Sequence, residues 1–220
     1  MNGKLIVIEG ACDGIGKSTQ FALLKEELEK EGKVVNHHFP TYAEVQGTFA
    51  TNYLKGEYGL PDGLSPYFIN NLYALDRSIT WQTKLKDEYE SGNTILLDRY
   101  TTSSLIYQSC LIDDVDKKKE FIDWVNDYEY NKLGIAKPDM VIFLKADFNT
   151  VMDLKNKRKE NEGVMNDIHE KHLDFMYKVY NSALFVADYL NWDVVNCDIN
   201  GQMRSIEDIH KDIVKLVKKQ

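Results

Sequence analysis

One stretch constrains the fold of this chain more than any other. Glu9-Gly10-Ala11-Cys12-Asp13-Gly14-Ile15-Gly16-Lys17-Ser18-Thr19-Gln20 follows a short apolar run, Leu5 to Ile8, and opens a segment whose Leu23, Leu24 and Leu28 share one helical stripe. A strand, a glycine-rich turn and a helix in that order form a phosphate-binding loop. The glycines let the backbone curl so that its N–H groups face an anion, Lys17 brings charge to the β and γ phosphates, and Ser18 offers a hydroxyl to Mg²⁺. Asp13, Gly14, Ile15, Gly16, Lys17, Ser18 and Thr19 are therefore expected around the phosphates of ATP. Counting back from Gly16-Lys17, the usual first glycine falls on Ala11, with Gly10 one residue early. Either the loop is one residue longer, or alanine is tolerated there.

The rest of the chain repeats the alternation that this loop begins. Apolar runs at Leu5 to Ile8, Val34 to Phe39, Thr94 to Leu97, Met140 to Leu144 and Trp192 to Asn196 read as buried strands. Between and after them, Ser18 to Glu31, Tyr67 to Glu90, Lys117 to Tyr130, Ile168 to Leu190 and Ser205 to Lys218 have helical spacing, which predicts an α/β fold with a five-stranded parallel sheet flanked by helices. No composition shift or repeat marks a boundary, so 1–220 reads as one domain. Gly56 to Pro66 and the charged run Lys155 to Asp167 read as loops.

Charge and cysteine usage narrow the ligand and the compartment. A formal net charge of -8 argues against a nucleic-acid partner and leaves room for a small positive pocket. Cys12, Cys110 and Cys197 are odd in number and widely spaced, as free thiols in a reducing cytoplasm would be. The apolar start is too short for a signal peptide or a membrane span. His37 and His38, adjacent on a strand, point to opposite faces, and no third ligand accompanies them, so they read as structural residues. His169, His172 and His210 are read the same way.

The chain past the loop chooses among the classes that share it. GTPase switches carry Asn-Lys-x-Asp, whereas Asn131-Lys132-Leu133-Gly134 lacks the aspartate. Asp98 and Arg99 fall at the carboxyl end of a predicted strand, where open α/β sheets hold their ligands, so both should face Lys17. Arg77 and Arg99 are suited to grip an acceptor phosphate bidentately, and Tyr73, one turn before Arg77, to stack a base.

From here the sequence resembles the thymidylate kinases through several motifs in the family's order. Phe39-Pro40-Thr41-Tyr42 is similar to Phe-Pro-x-Arg, Tyr73 to Arg77 to the aromatic-x-x-x-Arg helix, and Asp98-Arg99-Tyr100 with Ser103, Ser104, Tyr107 and Gln108 to Asp-Arg-Tyr and its Ser-rich, Tyr-Gln sequel. Lys137-Pro138-Asp139 precedes the fourth strand, as in the family. The resemblance implies a three-layer P-loop kinase fold with a short lid at about 155–167, ATP-dependent phosphorylation of thymidylate to dTDP, and a homodimer. Asp13 then meets the acceptor's 3'-hydroxyl, Tyr73 stacks on thymine, and Phe39, Tyr42, Ser103, Ser104, Tyr107 and Gln108 surround the acceptor. Family members carry the catalytic cation either in the P-loop, where Gly14 stands here, or in the lid, which points to Arg158, with Lys155 and Lys157 behind it.

In this reading Lys17, Asp98, Arg99 and Arg158 form the catalytic set. Ser18 and Asp98 hold Mg²⁺, directly or through water. Because the attacking phosphate oxygen is already anionic, no strong general base is needed. Three alternatives stay open: a deoxynucleoside kinase, whose strand usually ends in Glu-Arg-Ser; a kinase for another deoxynucleoside monophosphate; and a nucleotide-binding protein that has lost activity, given the loop spacing and Tyr42 in place of arginine.

Overall fold

The computed structural model describes residues 2–11, 13–154 and 173–219. Cys12, the lid segment 155–167 and Arg158 therefore lie outside the described residues. Five strands, β1 (Leu5–Gly10), β2 (Val34–His38), β3 (Thr94–Asp98), β4 (Met140–Lys145) and β5 (Asp193–Asn196), make one sheet in the order β2-β3-β1-β4-β5, and every pairing is parallel. Parallel strands need crossovers, and crossover helices cover both faces, so a central strand has no wet side. β1 meets that demand with Leu5-Ile6-Val7-Ile8, all at zero exposure. β2 lies at the edge, which is why Asn36 and His38 are accepted as exposed residues there.

Strand alternation divides the core. Ile6 and Ile8 join one cluster with Leu24, Phe121, Ala183 and Ile213. Leu5 and Val7 face the other with Phe39, Trp81, Leu85, Ile95 and Tyr100. The helices are α1 (Lys17–Leu28), α2 (Thr48–Leu54), α3 (Pro66–Thr80), α4 (Lys86–Glu90), α5 (Thr101–Tyr107), α6 (Val115–Asn126), α7 (Leu173–Tyr189) and α8 (Ile206–Val217). α8 starts where Ser205 Oγ accepts the Asp208 N–H at 3.1 Å, and it buries Ile209, Ile213 and Val217 at helical spacing.

Three helical expectations change in detail. The Tyr67 to Glu90 run is not one regular helix: a π-helical turn, Trp81–Leu85, separates α3 from α4 and brings both Trp81 and Leu85 into the core. A second such turn, Asp127–Lys132, follows α6 and takes Glu129 to zero exposure within a polar run. The first helix stops at Leu28 rather than Glu31. α2 and α5 lie outside the segments expected to be helical.

Register positions the site. Ile8 pairs with Asp98 and Gly10 with Leu144, so the carboxyl ends of β1, β3 and β4 lie within a few residues of one another. The chain crosses from β1 toward β3 and β2 on one side and toward β4 and β5 on the other, and the crevice at that reversal is where open α/β sheets bind ligands. No described helix is long and apolar enough to cross a membrane.

Candidate active site

The phosphate loop leaves β1 at Gly10, and Ala11 donates its N–H to the Leu144 carbonyl at 3.0 Å. Ala11 is buried and needs no left-handed backbone, so alanine is tolerated at the position where a glycine is usual. Gly14 and Gly16 do take left-handed φ, 99° and 93°. A Cβ at Gly16 would meet nothing within 4 Å, so φ, not space, demands glycine there. α1 begins one residue later with no side-chain cap on its first N–H groups. Those donors and the positive end of the helix are what a phosphate seeks.

Asp98 sits opposite this loop. Lys17 Nζ donates to its Oδ1, and His38 Nδ1 is 2.9 Å from its Oδ2. Burial pushes the Asp98 carboxyl up, but the hydrogen bond from His38 and the charge of Lys17 outweigh it and hold the group well below the usual carboxylate range. Asp98 is thus an anion, unsuited to serve as a base near neutral pH. Its pairing with Lys17 agrees with the sequence expectation that the two face each other; the part of His38 was not foreseen.

Arg99 follows β3 with a left-handed φ of 66°, rare for a residue with a side chain and costly by about 1–3 kcal/mol. Its Nη2 donates to Asp13 of the phosphate loop, its Nη1 reaches Ser103 Oγ at 3.5 Å, and its guanidinium carbon lies 5.6 Å from the centre of the Tyr107 ring. Burial alone would lower its pKa; Asp13, Tyr107 and Glu9 more than offset that and raise it further.

Arg77 is arranged differently. It is 2% exposed and gives Glu129 two bonds, Nε to Oε2 at 2.7 Å and Nη2 to Oε1 at 2.6 Å. Ser104 Oγ accepts from Nη2 at 2.9 Å, and Thr101 Oγ1 donates to Glu129 at 3.1 Å. The expected bidentate grip on a phosphate therefore meets a guanidinium whose Nε–Nη2 edge is already engaged. What retains spare hydrogen-bonding capacity is Nη1, 3.5 Å from the Tyr100 carbonyl oxygen.

The ten residues expected to surround an acceptor, Asp13, Phe39, Tyr42, Tyr73, Arg77, Arg99, Ser103, Ser104, Tyr107 and Gln108, all line one open cleft. Pro40, Leu54 and Tyr100 complete it. Neither Leu54, on the short α2 outside the segments expected to be helical, nor Tyr100, named only within the Asp-Arg-Tyr motif, was among the expected lining residues. Tyr73 stands edge-on to Tyr53, their ring centres 6.0 Å apart. Tyr42 is 53% exposed at the mouth. Ser18 and Thr19 are exposed on the first turn of α1.

Oxygen donors suit Mg²⁺, and Ser18 and Asp98 supply a hydroxyl and a carboxylate. Among the described residues no group of three or more His, Cys, Asp or Glu could hold a metal ion alone. The donor set fits an ion shared with nucleotide phosphates, not one caged by protein.

Sheet order, phosphate loop and facing Asp98 define a P-loop phosphotransferase. The family model for thymidylate kinase matches residues 8–213. The thymidylate kinase of Plasmodium falciparum is 31% identical over 220 residues, covering 99% of this chain and 90% of the relative. That of Caldicellulosiruptor saccharolyticus is 30% identical over 226 residues and is matched over the full length of both. The solved structure of thymidylate kinase from Candida albicans superposes with a TM-score of 0.75 at 22% identity, covering 99% of this chain and 92% of that one, which establishes the shared fold. The chain belongs to the thymidylate kinase family.

Proposed function

We propose that this chain catalyses the reaction its family is named for, transferring the γ-phosphoryl group of ATP to the 5'-phosphate of thymidylate to give dTDP. The observation that carries this is one cleft lined by all ten expected acceptor residues and joined to the phosphate loop through the Arg99–Asp13 pair. Phosphoryl transfer asks for positioning and charge compensation more than covalent chemistry. Lys17 and the first N–H groups of α1 hold the donor phosphates, and Arg99 takes the acceptor phosphate. Mg²⁺, bound by Ser18 and Asp98, would neutralise charge on the donor phosphates. Arg158, the lid cation in this reading, lies outside the described residues.

Arg77 takes a role other than a phosphate grip. Paired with Glu129 it brings almost no net charge to the cleft, so its Nη1 suits a neutral carbonyl on the acceptor's base better than a dianion. Tyr73, four residues before it, offers a ring for the same base.

Assembly and location belong to the proposal as well. Phe68, Leu75 and Ile79 fall on one exposed face of α3, beside exposed Phe49 of α2, and support a homodimer through that face. The free, buried thiols of Cys110 and Cys197 suit the reducing cytoplasm. ADP release from ATP, measured with thymidylate, other deoxynucleoside monophosphates and thymidine in turn, tests the reading. Fastest turnover with thymidylate is expected. A preference for thymidine would make the chain a nucleoside kinase, and no turnover with any monophosphate would end the proposal.

A further inference from the structure

The end of β1 carries a charge that the roles above do not use. Glu9 continues the stripe of Leu5 and Val7 on the central strand, and like them it has no exposure. An ionised carboxylate costs far more to desolvate there than a third aliphatic side chain would, so packing gives no reason for it. Its oxygens are fully directed. Oε2 accepts from Thr102 Oγ1 at 3.0 Å and from Ser103 Oγ at 2.6 Å; Oε1 accepts from the Gly10 N–H at 3.1 Å and lies 3.8 Å from Arg99 Nη1.

Arg99 thus stands between two carboxylates that an arriving acceptor would treat differently. Asp13 lines the cleft, with a side chain 40% exposed, so a phosphate can compete with it for the guanidinium. Glu9, with a side chain only 1% exposed, is out of reach and stays in place. Ser103 extends the same control: its proton is committed to Glu9, which leaves its oxygen to accept from Arg99 Nη1. With the Arg99 backbone in a left-handed conformation, its aim depends on these side-chain partners.

We infer that Glu9 is a positioning residue for the transfer: seated on Gly10, Thr102 and Ser103, its buried carboxylate aims the Arg99 guanidinium at the acceptor phosphate. The inference rests on the assignment of Arg99 to that phosphate, and the experiment separates the two. Steady-state kinetics for thymidylate and ATP are compared for Glu9→Gln, Arg99→Ala, Arg99→Lys and the Glu9→Gln/Arg99→Lys double variant, with melting curves for each. Glu9→Gln keeps a cooperative melt, loses about a hundredfold in kcat/KM for thymidylate, and shifts KM for ATP by less than about twofold. In the Arg99→Lys background the same change has little further effect, since both act through one group. Full kcat/KM for thymidylate in Glu9→Gln, a parallel rise in both KM values, or independent effects in the double variant would overturn the positioning role. If Glu9→Gln does not fold, Thr102→Val, which removes one of its donors, is expected to lose about tenfold with thymidylate alone, and unchanged kinetics overturn the inference. A large loss in Arg99→Ala beside a silent Glu9→Gln ends the Glu9 role only; no loss in Arg99→Ala ends both assignments.

Discussion

Arg77 and Glu129, fifty-two residues apart in sequence, meet in a two-bond ion pair with side chains at 2% and 0% exposure. Each ion loses several kcal/mol of hydration there, which the pair recovers only because Ser104, Thr101 and Asn70 satisfy the remaining donors and acceptors. Removing one partner strands the other. Glu129→Gln should therefore lower unfolding free energy by about 3–5 kcal/mol in urea titrations. Replacing both partners with apolar residues of similar size should restore much of that stability but not turnover. A stable, fully active double replacement would show that the pair has no part in binding.

Lys17, the first residue of α1, faces the Asp98 carboxylate, where charge on the transferring group is to be compensated. Lys17→Ala should lose about a hundred- to a thousandfold in kcat, the scale of one preorganised electrostatic partner, while its melting temperature stays near that of the parent. Near-normal turnover would remove Lys17 from the phosphate site.

Glu27 of α1 accepts from Lys218 Nζ, on the residue that follows α8, at 2.7 Å and also accepts from Lys30. Its hydrogen bonds with Lys218 and Lys30 lower its pKa from 4.5 to about 2. A lowered folded-state pKa gives stability that is present above the unfolded value and is lost as pH falls from 4.5 through about 2. Melting temperatures of the parent and Glu27→Gln should differ near pH 6 in low salt and converge toward the acid end. Added salt should narrow the gap at pH 6, because the pair is exposed.

Burial pushes the thiols of Cys110 and Cys197 up to about 12. With so little thiolate, both should resist a thiol reagent at pH 8 while the chain is folded. In a Cys12→Ser variant, titration of the native protein should find no reactive thiol, and denaturant should release two. Rapid reaction of either in the native state would contradict this.

Much of the site could be read from residue order. The phosphate loop and the five strands are written in contiguous runs, where spacing and strand ends decide what faces what; of the ten expected cleft residues, Tyr73, Arg77 and Arg99 follow from residue type and position, and the other seven from the resemblance to the thymidylate kinases. Glu129 was not legible, because it lies in the polar run Asp127 to Lys132, which has no apolar period, and only a π-helical turn carries it inward. The consequence is that Arg77, expected to grip the acceptor phosphate, has a buried partner in Glu129. Glu9 stands next to the loop in the sequence, but nothing local reveals that Thr102 and Ser103, more than ninety residues away, will close over it. His38 likewise had no sign of its contact with Asp98 until β2 and β3 were in register.

The central claim is transfer of a phosphoryl group between two nucleotides, and ³¹P NMR of a reaction holding the protein, Mg²⁺, ATP and thymidylate observes that transfer directly. The account predicts that the thymidylate monophosphate signal gives way to the paired signals of dTDP while ATP becomes ADP in equal amount. Inorganic phosphate accumulating beside unchanged thymidylate, or no consumption of ATP, would contradict it.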